Sequence, residues 1–199
     1  DAKFGIFIHW GAYTVPCYAP VDRDMGDLFA AGDWAEVFKW SPYTEWYLNS
    51  WSLEGSPTAA HHAATYGDRT YESFVEEFHE RSAGVDTAAW APLFQQAGAK
   101  YVVPVTKHHD GFLMWRSDIP NPHKTRWMAE RDHIGALADA VRADAARRGT
   151  TTMPTLRSTP YAWPYDGQLT PSNTALVILP TPTPTSTPWK RPLLPPNQT

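Results

Sequence analysis

The sequence predicts an α/β fold that begins with a β/α repeat, and three observations carry this prediction. Two continuous apolar runs, Phe4 to Gly11 and Tyr101 to Thr106, have the composition of strands buried on both faces of a parallel sheet. Amphipathic helical patterns lie between the two runs and after the second. The resulting order is strand, long loop, helix, strand, loop and helix, which is typical of parallel strands joined by crossover helices.

The first run closes at a glycine, so His9 falls at the C-terminal end of the first strand. Residues 12–57 follow, rich in aromatic residues, proline, aspartate and glycine but weakly periodic. They predict a long structured loop interrupted by short helices around Gly32 to Lys39 and Glu45 to Ser50. Long loops in compact domains are often functional.

Two longer helices are predicted before the second strand. The first spans Tyr71 to Arg81. The second spans Thr87 to Ala97 and has the clearer start and stop signals, with Asp86 as its N-cap and Gly98 at its C-terminal end. A further amphipathic helix is predicted from about His133 to Arg147.

The second strand ends where Lys107 to Phe112 begin. Pro104 lies inside it and removes one hydrogen-bond donor from the ladder.

The composition changes after Gly149 and divides residues 1–148 from a tail at 149–199. Residues 151–199 contain 11 of the 19 prolines and Asp166 as their one acidic residue. This composition predicts disorder or extended, polyproline-like chain. A sudden proline- and threonine-rich stretch within a domain also suggests that residues from about 150 onward are frameshifted, a hypothesis that resequencing of the DNA tests.

Charge and cysteine content exclude several classes of partner. The net charge is -4 and the pI about 6.0, without a basic stripe for nucleic acid or an anionic membrane. Cys17 is the single cysteine, so neither an intrachain disulfide nor a thiolate metal site is expected. No membrane span or signal peptide is expected, and the cellular location stays open. Ten tryptophans are many for this length and hint at carbohydrate, although each alone is more often a core residue.

Three histidines at strand ends form the candidate site. His9 follows the first strand, and His108 and His109 follow the second, where side chains of parallel β/α folds converge. Imidazole can bind sugar hydroxyls, act as acid or base, or bind metal. A metal site is the weaker interpretation because Asp110 is the only carboxylate in the second motif. His61 and His62, by contrast, are predicted to be surface or packing residues of a loop.

Glu45, Trp46 and Tyr47 combine a carboxylate with aromatic rings, which is the chemistry of a sugar-binding subsite. The alternative is an ordinary helix start with an acidic residue in its first turn.

Four motifs in order resemble those of α-L-fucosidases of glycoside hydrolase family 29. The motifs are Lys3 to Gly11, Glu45 to Tyr47, Ala97 to Val103 and Lys107 to Phe112, and the resemblance covers about three quarters of the chain. It implies an incomplete (β/α)8-type (TIM-like) barrel, because such a barrel needs about 250 residues.

The resemblance also implies roles for individual residues. His9, Glu45, Trp46, His108 and His109 would line the fucose pocket, and the substrate would be a fucosylated glycan or glycoside, with no cofactor and no metal. The family hydrolyses with retention, using two carboxylates about 5 Å apart. Neither the nucleophilic aspartate nor the acid/base has a counterpart here, since the surroundings of Asp166 do not match, so little turnover is expected of this chain.

Two alternatives stay open. One is a non-catalytic sugar-binding module with half of the pocket. The other is a metal-dependent hydrolase using His9, His108 and His109, which the absence of carboxylate ligands disfavours.

Overall fold

The computed structural model describes residues 4–119 and 121–147. The predictions for the tail at 149–199, including its disorder, the frameshift and the exclusion of Asp166, lie outside the described residues. The strands are β1 (Gly5–Ile8) and β2 (Tyr101–Pro104); the α-helices are α1 (Met25–Ala31), α2 (Trp34–Lys39), α3 (Tyr47–Trp51), α4 (Pro57–Tyr66), α5 (Tyr71–Ser82), α6 (Ala91–Gln96) and α7 (His133–Arg147). Short 3-10 turns occupy Ala12–Thr14, Thr44–Trp46 and Thr87–Trp90.

The two strands pair in parallel, as the sequence predicts, with Gly5 opposite Tyr101 and Ile8 opposite Pro104. A Cβ atom on Gly5 would lie 2.2 Å from the Tyr101 ring, so the ring packs where only glycine leaves room. This pair and the helices between its strands establish a parallel β/α arrangement in the described residues.

The prediction that both strands are buried on both faces is wrong. Phe7 is 52% and Tyr101 37% exposed, whereas Val102 is 4% exposed. Side chains alternate between the faces of a strand, and the described part of the sheet has two strands that are covered mainly on one face.

Helix α5 anchors the core, and the prediction for it is confirmed. Its Phe74 and Phe78 are buried against Tyr47, Phe112 and other apolar residues of the same cluster. The predicted helix over Thr87 to Ala97 is divided into a 3-10 turn and α6, because Pro92 has no N–H for a continuous helix. The cap is confirmed, since Asp86 accepts a hydrogen bond from the Ala88 N–H at 3.0 Å.

Two helices within and after the predicted loop were missed, α1 and α4. Helix α4 begins after Ser56, whose hydroxyl accepts from the Ala59 N–H at 3.0 Å, with Pro57 in its first turn. The placement of His61 and His62 in a loop is therefore wrong. The packing role is confirmed for His62, which is buried between two hydrogen-bond partners.

The prediction of helix α7 is confirmed, and the Gly135 N–H at its start donates a hydrogen bond to Oδ1 of Asp132 at 2.7 Å. Leu137 is buried on its inner face. Within the described residues, no helix has both the length and the apolar character needed to cross a membrane.

Candidate functional site

The C-terminal ends of β1 and β2 bring the predicted histidines together. The rings of His9 and His108 have centroids 5.5 Å apart. Because parallel strands end at the same edge of a sheet, residues almost a hundred positions apart in sequence become neighbours. The strand ends therefore place His9 beside His108, and their role in a binding site stays a prediction.

A turn after β2 allows both adjacent histidines to reach this edge. The Val105 N–H still continues the ladder by donating to the Ile8 carbonyl at 2.9 Å, and the chain then turns, with Gly111 at φ 74°. The rings of His108 and His109 have centroids 4.6 Å apart at an interplanar angle of 73°. The two side chains therefore diverge, one towards His9 and the other towards Trp46.

Glu45 reaches the same cluster from the 3-10 turn Thr44–Trp46. Its Oε1 lies 2.9 Å from Nδ1 of His9, which is within the distance of an ion pair. The relative orientation of the two groups does not meet the angle of a hydrogen bond. The Glu45 side chain is 14% exposed. A largely buried carboxylate thus faces an imidazole across the end of β1.

Trp46 forms the aromatic wall of the cluster. Its ring stacks on Phe38 at 5.4 Å and 18°, and contacts His109 with centroids 4.1 Å apart. The indole therefore separates the histidine cluster from the aromatic side chains of α2. The five predicted site residues all meet at this one place.

Burial keeps the imidazoles of His108 and His109 neutral. It lowers the pKa of His108 to about 3, with the charges of His109 and His9 adding to the effect, and the pKa of His109 to about 4. Each neutral ring has one N–H donor and one acceptor nitrogen. Nδ1 of His108 is buried and has no hydrogen-bond partner among the described residues. This chemistry suits a ligand with adjacent hydroxyl groups.

Asp110 lies under the cluster and braces its loop. The Tyr71 hydroxyl donates to Oδ2 at 2.8 Å, the Phe112 N–H donates to Oδ1 at 3.0 Å, and the Trp127 indole donates to the Asp110 carbonyl at 2.7 Å. Burial raises its pKa to about 6, although these hydrogen bonds to the carboxylate act in the opposite direction. Asp110 therefore ties the loop to α5.

Tyr13 was missed by the sequence analysis. Its ring lies 5.6 Å from that of His108, and its buried hydroxyl has no hydrogen-bond partner among the described residues. Burial raises its pKa, and the charges of Asp110 and Glu45 add to the increase. Its position two residues after Gly11, which closes the first apolar run, was the one available signal. Tyr13 adds a protonated hydroxyl beneath the cluster.

Three of these side chains have a geometry compatible with a divalent cation. Ligand atoms of His9, Glu45 and His108 all lie within 4.8 Å of one another. Two imidazoles and a carboxylate are a set that zinc accepts. The sequence-based argument that carboxylate ligands are missing is therefore wrong, because Glu45 supplies one from a distant loop.

Comparison with known proteins gives one consistent family. The profile of the alpha-L-fucosidase family matches residues 1–170. Alpha-L-fucosidase of Dictyostelium discoideum is 38% identical over 119 residues, which cover 59% of this chain and 22% of that protein. Human tissue alpha-L-fucosidase is 32% identical over 161 residues, covering 75% of this chain and 27% of its own length. The chain thus spans about a quarter of the curated relatives that it matches.

Solved structures give the same family. An alpha-fucosidase of Thermotoga maritima in complex with a mechanism-based inhibitor is 42% identical with a TM-score of 0.56, covering 71% of this chain and 30% of that one. The Thermotoga maritima enzyme in complex with fucose is 38% identical with a TM-score of 0.60, covering 81% and 33%. The described fold therefore corresponds to about a third of those enzymes.

Proposed function

Because this chain belongs to the alpha-L-fucosidase family, we propose that its strand-end cluster is the sugar-recognising side of a site that hydrolyses terminal α-L-fucosides. The proposed substrate is a fucosylated glycan or glycoside. One observation carries the proposal: five residues from three separate segments converge on one edge of the sheet. A relative of known structure was solved with fucose bound.

Each side chain has a role in this proposal. The carboxylate of Glu45 and the imidazoles of His9, His108 and His109 hydrogen-bond the ring hydroxyls, and the indole of Trp46 packs on the apolar part of the sugar. Neutral histidines suit this task because they both donate and accept. Binding in this way fixes the orientation of the glycosidic bond.

Hydrolysis with retention needs a second carboxylate about 5 Å from the first. Glu45 already faces His9 at 2.9 Å, so we assign it to recognition and not to attack on the anomeric carbon. The nucleophile and the acid/base would come from outside the described residues, and β1 and β2 would be two units of a (β/α)8-type barrel. The 199-residue chain should accordingly bind fucose but give little turnover of an aryl α-L-fucoside.

Calorimetric titration of the purified chain with L-fucose tests this proposal. Glu45→Gln removes a charged hydrogen-bond acceptor and should weaken binding about tenfold or more, as expected for the loss of a hydrogen bond to a charged group. Glu54→Gln is the matched control, because Glu54 is an exposed glutamate outside the cluster. Equal affinities of wild type and Glu45→Gln, or no binding by wild type, would contradict the proposal.

The second candidate is a metal-dependent hydrolase, which the approach of His9, Glu45 and His108 favours. Metal analysis of the folded protein separates the two. If the wild type contains stoichiometric zinc and Glu45→Gln does not, the metal function is supported. If the wild type still binds fucose after treatment with a chelator, the sugar site is supported.

A further inference from the structure

Tyr13 has a fixed place beside the histidine cluster. A Cβ atom on Gly11 would lie 3.0 Å from Cε1 of the Tyr13 ring, closer than side chains normally pack, so the ring lies directly on the backbone at Gly11. The Tyr13 carbonyl accepts from the Cys17 N–H at 3.2 Å and from the Thr44 hydroxyl at 3.5 Å. The whole residue is 2% exposed. Packing on one side and hydrogen bonds on the other therefore set the position of its side chain.

The Tyr13 hydroxyl and Nδ1 of His108 are two buried polar atoms without a hydrogen-bond partner among the described residues. Their rings are in edge contact, with centroids 5.6 Å apart at an interplanar angle of 66°. A buried polar group without a hydrogen bond is costly, and such groups in native proteins usually have a partner. Each of these two atoms can serve the other, because a hydroxyl donates and a neutral imidazole accepts.

A second tyrosine and histidine of the same fold show that this ring geometry suits such a bond. The rings of Tyr47 and His62 have centroids 6.0 Å apart at 54°, and the Tyr47 hydroxyl lies 2.8 Å from Nδ1 of His62. Nε2 of His62 lies 2.7 Å from the Arg69 carbonyl, which can only accept, so Nε2 carries the proton of the neutral ring. Nδ1 then accepts from the tyrosine, which thereby fixes the tautomer of the histidine.

The surroundings of Tyr13 favour donation to His108. Burial raises the pKa of Tyr13, and the charges of Asp110 and Glu45 add to the increase, so the hydroxyl keeps its proton at pH 7. Both carboxylates are engaged by other groups. Asp110 accepts two hydrogen bonds, and Glu45 lies 2.9 Å from His9. Nδ1 of His108 is therefore the acceptor that matches this donor.

We propose that Tyr13 is a positioning residue for sugar recognition, whose hydroxyl donates to Nδ1 of His108 when Nε2 of that ring binds a fucose hydroxyl. The inference rests on the proposed function. Nδ1 is the buried nitrogen of the ring, so Nε2 is the one that a ligand reaches. The bond from Tyr13 places the single ring proton on Nε2 and makes His108 a donor towards the sugar. Tyr13 is buried and acts through His108.

Long-range proton–nitrogen-15 NMR of the histidine side chains tests this role at pH 7 with saturating L-fucose. The method distinguishes the protonated from the unprotonated nitrogen of a neutral ring. The His108 signals are those lost in His108→Gln, and His62 is the internal reference for a proton on Nε2. Wild type should carry the His108 proton on Nε2, whereas Tyr13→Phe should show a mixture of both tautomers with unchanged His62 signals.

Calorimetric titration with L-fucose gives the second measurement. Tyr13→Phe should weaken binding about fivefold, as expected for the loss of one neutral hydrogen bond. Tyr101→Phe is the matched control and should bind as wild type does, because Tyr101 begins β2 at the end opposite to His108.

The outcomes separate this role from the proposed function. A wild-type His108 with its proton on Nδ1 would overturn the role of Tyr13, and this result does not depend on the folding of any variant. An unchanged tautomer or an unchanged affinity in Tyr13→Phe would overturn it as well, while fucose binding by wild type leaves the sugar site standing. Failure of wild type to bind L-fucose would overturn both.

Discussion

Two histidines in different regions of the molecule, one buried and one half-buried, show how a packing residue differs from a site residue. In the helical layer of α4 and α5, His62 donates from Nε2 to the Arg69 carbonyl at 2.7 Å, and its Nδ1 pairs with the Tyr47 hydroxyl at 2.8 Å. At the strand ends, the buried Nδ1 of His108 has no hydrogen-bond partner among the described residues. The first ring completes the fold internally, whereas the second keeps capacity for a ligand.

Asp110 connects these two regions, and its titration gives the largest expected effect. Its pKa is raised from 3.8 to about 6 by burial, so the folded state prefers the neutral carboxyl. The associated stability is fully present below pH 3.8 and is lost as the pH rises through 6. Wild type should lose about 3 kcal/mol over that interval relative to Asp110→Asn.

Urea unfolding of both proteins at several pH values between 3.5 and 7 measures this difference. The difference between the unfolding free energies of wild type and variant should change by about 3 kcal/mol across this range, whatever their absolute stabilities. Parallel pH profiles would mean that the carboxylate is better solvated than its position between Tyr71 and Phe112 implies.

Two substitutions at pH 7 test whether His62 and His108 have different roles. His62→Gln should cost about 1–3 kcal/mol, because a buried hydroxyl and a carbonyl lose fitted partners. His108→Gln should cost less, because it removes no hydrogen bond of Nδ1 within the described residues. Comparable losses would show that His108 is a packing residue after all. Urea unfolding at constant pH measures both.

His108 should also make the fold acid-sensitive in the opposite direction to Asp110. Its pKa is lowered to about 3, so its stability contribution is present above pH 6.5 and is lost as the pH falls towards 3. The loss between pH 6.5 and 5 should be about 1–2 kcal/mol after allowance for its partial exposure, and His108→Gln should remove it.

The sequence was most informative where a long pattern or a strand end determined the structure. The apolar runs located β1 and β2, the amphipathic pattern over residues 71–81 located α5, and the strand ends identified the histidines. Periodicity is a local property of the chain, and parallel pairing, once inferred from the β/α order, places the C-terminal ends of both strands at one edge of the sheet.

The missed features depend on caps or on contacts between distant residues. Helix α1 has seven residues, too few for a clear period, and is defined by its Asp24 cap. The approach of Glu45 to His9 and the burial of the Tyr13 hydroxyl result from packing of one segment on another. No local pattern encodes such contacts, which is why the cation-compatible set became apparent only in the folded chain.

The smallest expected effect contrasts helix α2 with the core. Asp33 caps α2 by accepting from the Ala35 and Glu36 N–H groups, and such a cap contributes about 1 kcal/mol. Since α2 is short and exposed, Asp33→Ala should open it locally without lowering global stability by the same amount. Amide hydrogen exchange should accelerate about fivefold at Val37 to Trp40 and not in α5. Asp22→Ala is the control, because Asp22 is an exposed aspartate that caps neither α1 nor α2. An equal loss of protection in α5 would mean that α2 unfolds with the core and belongs to one cooperative unit with Phe74.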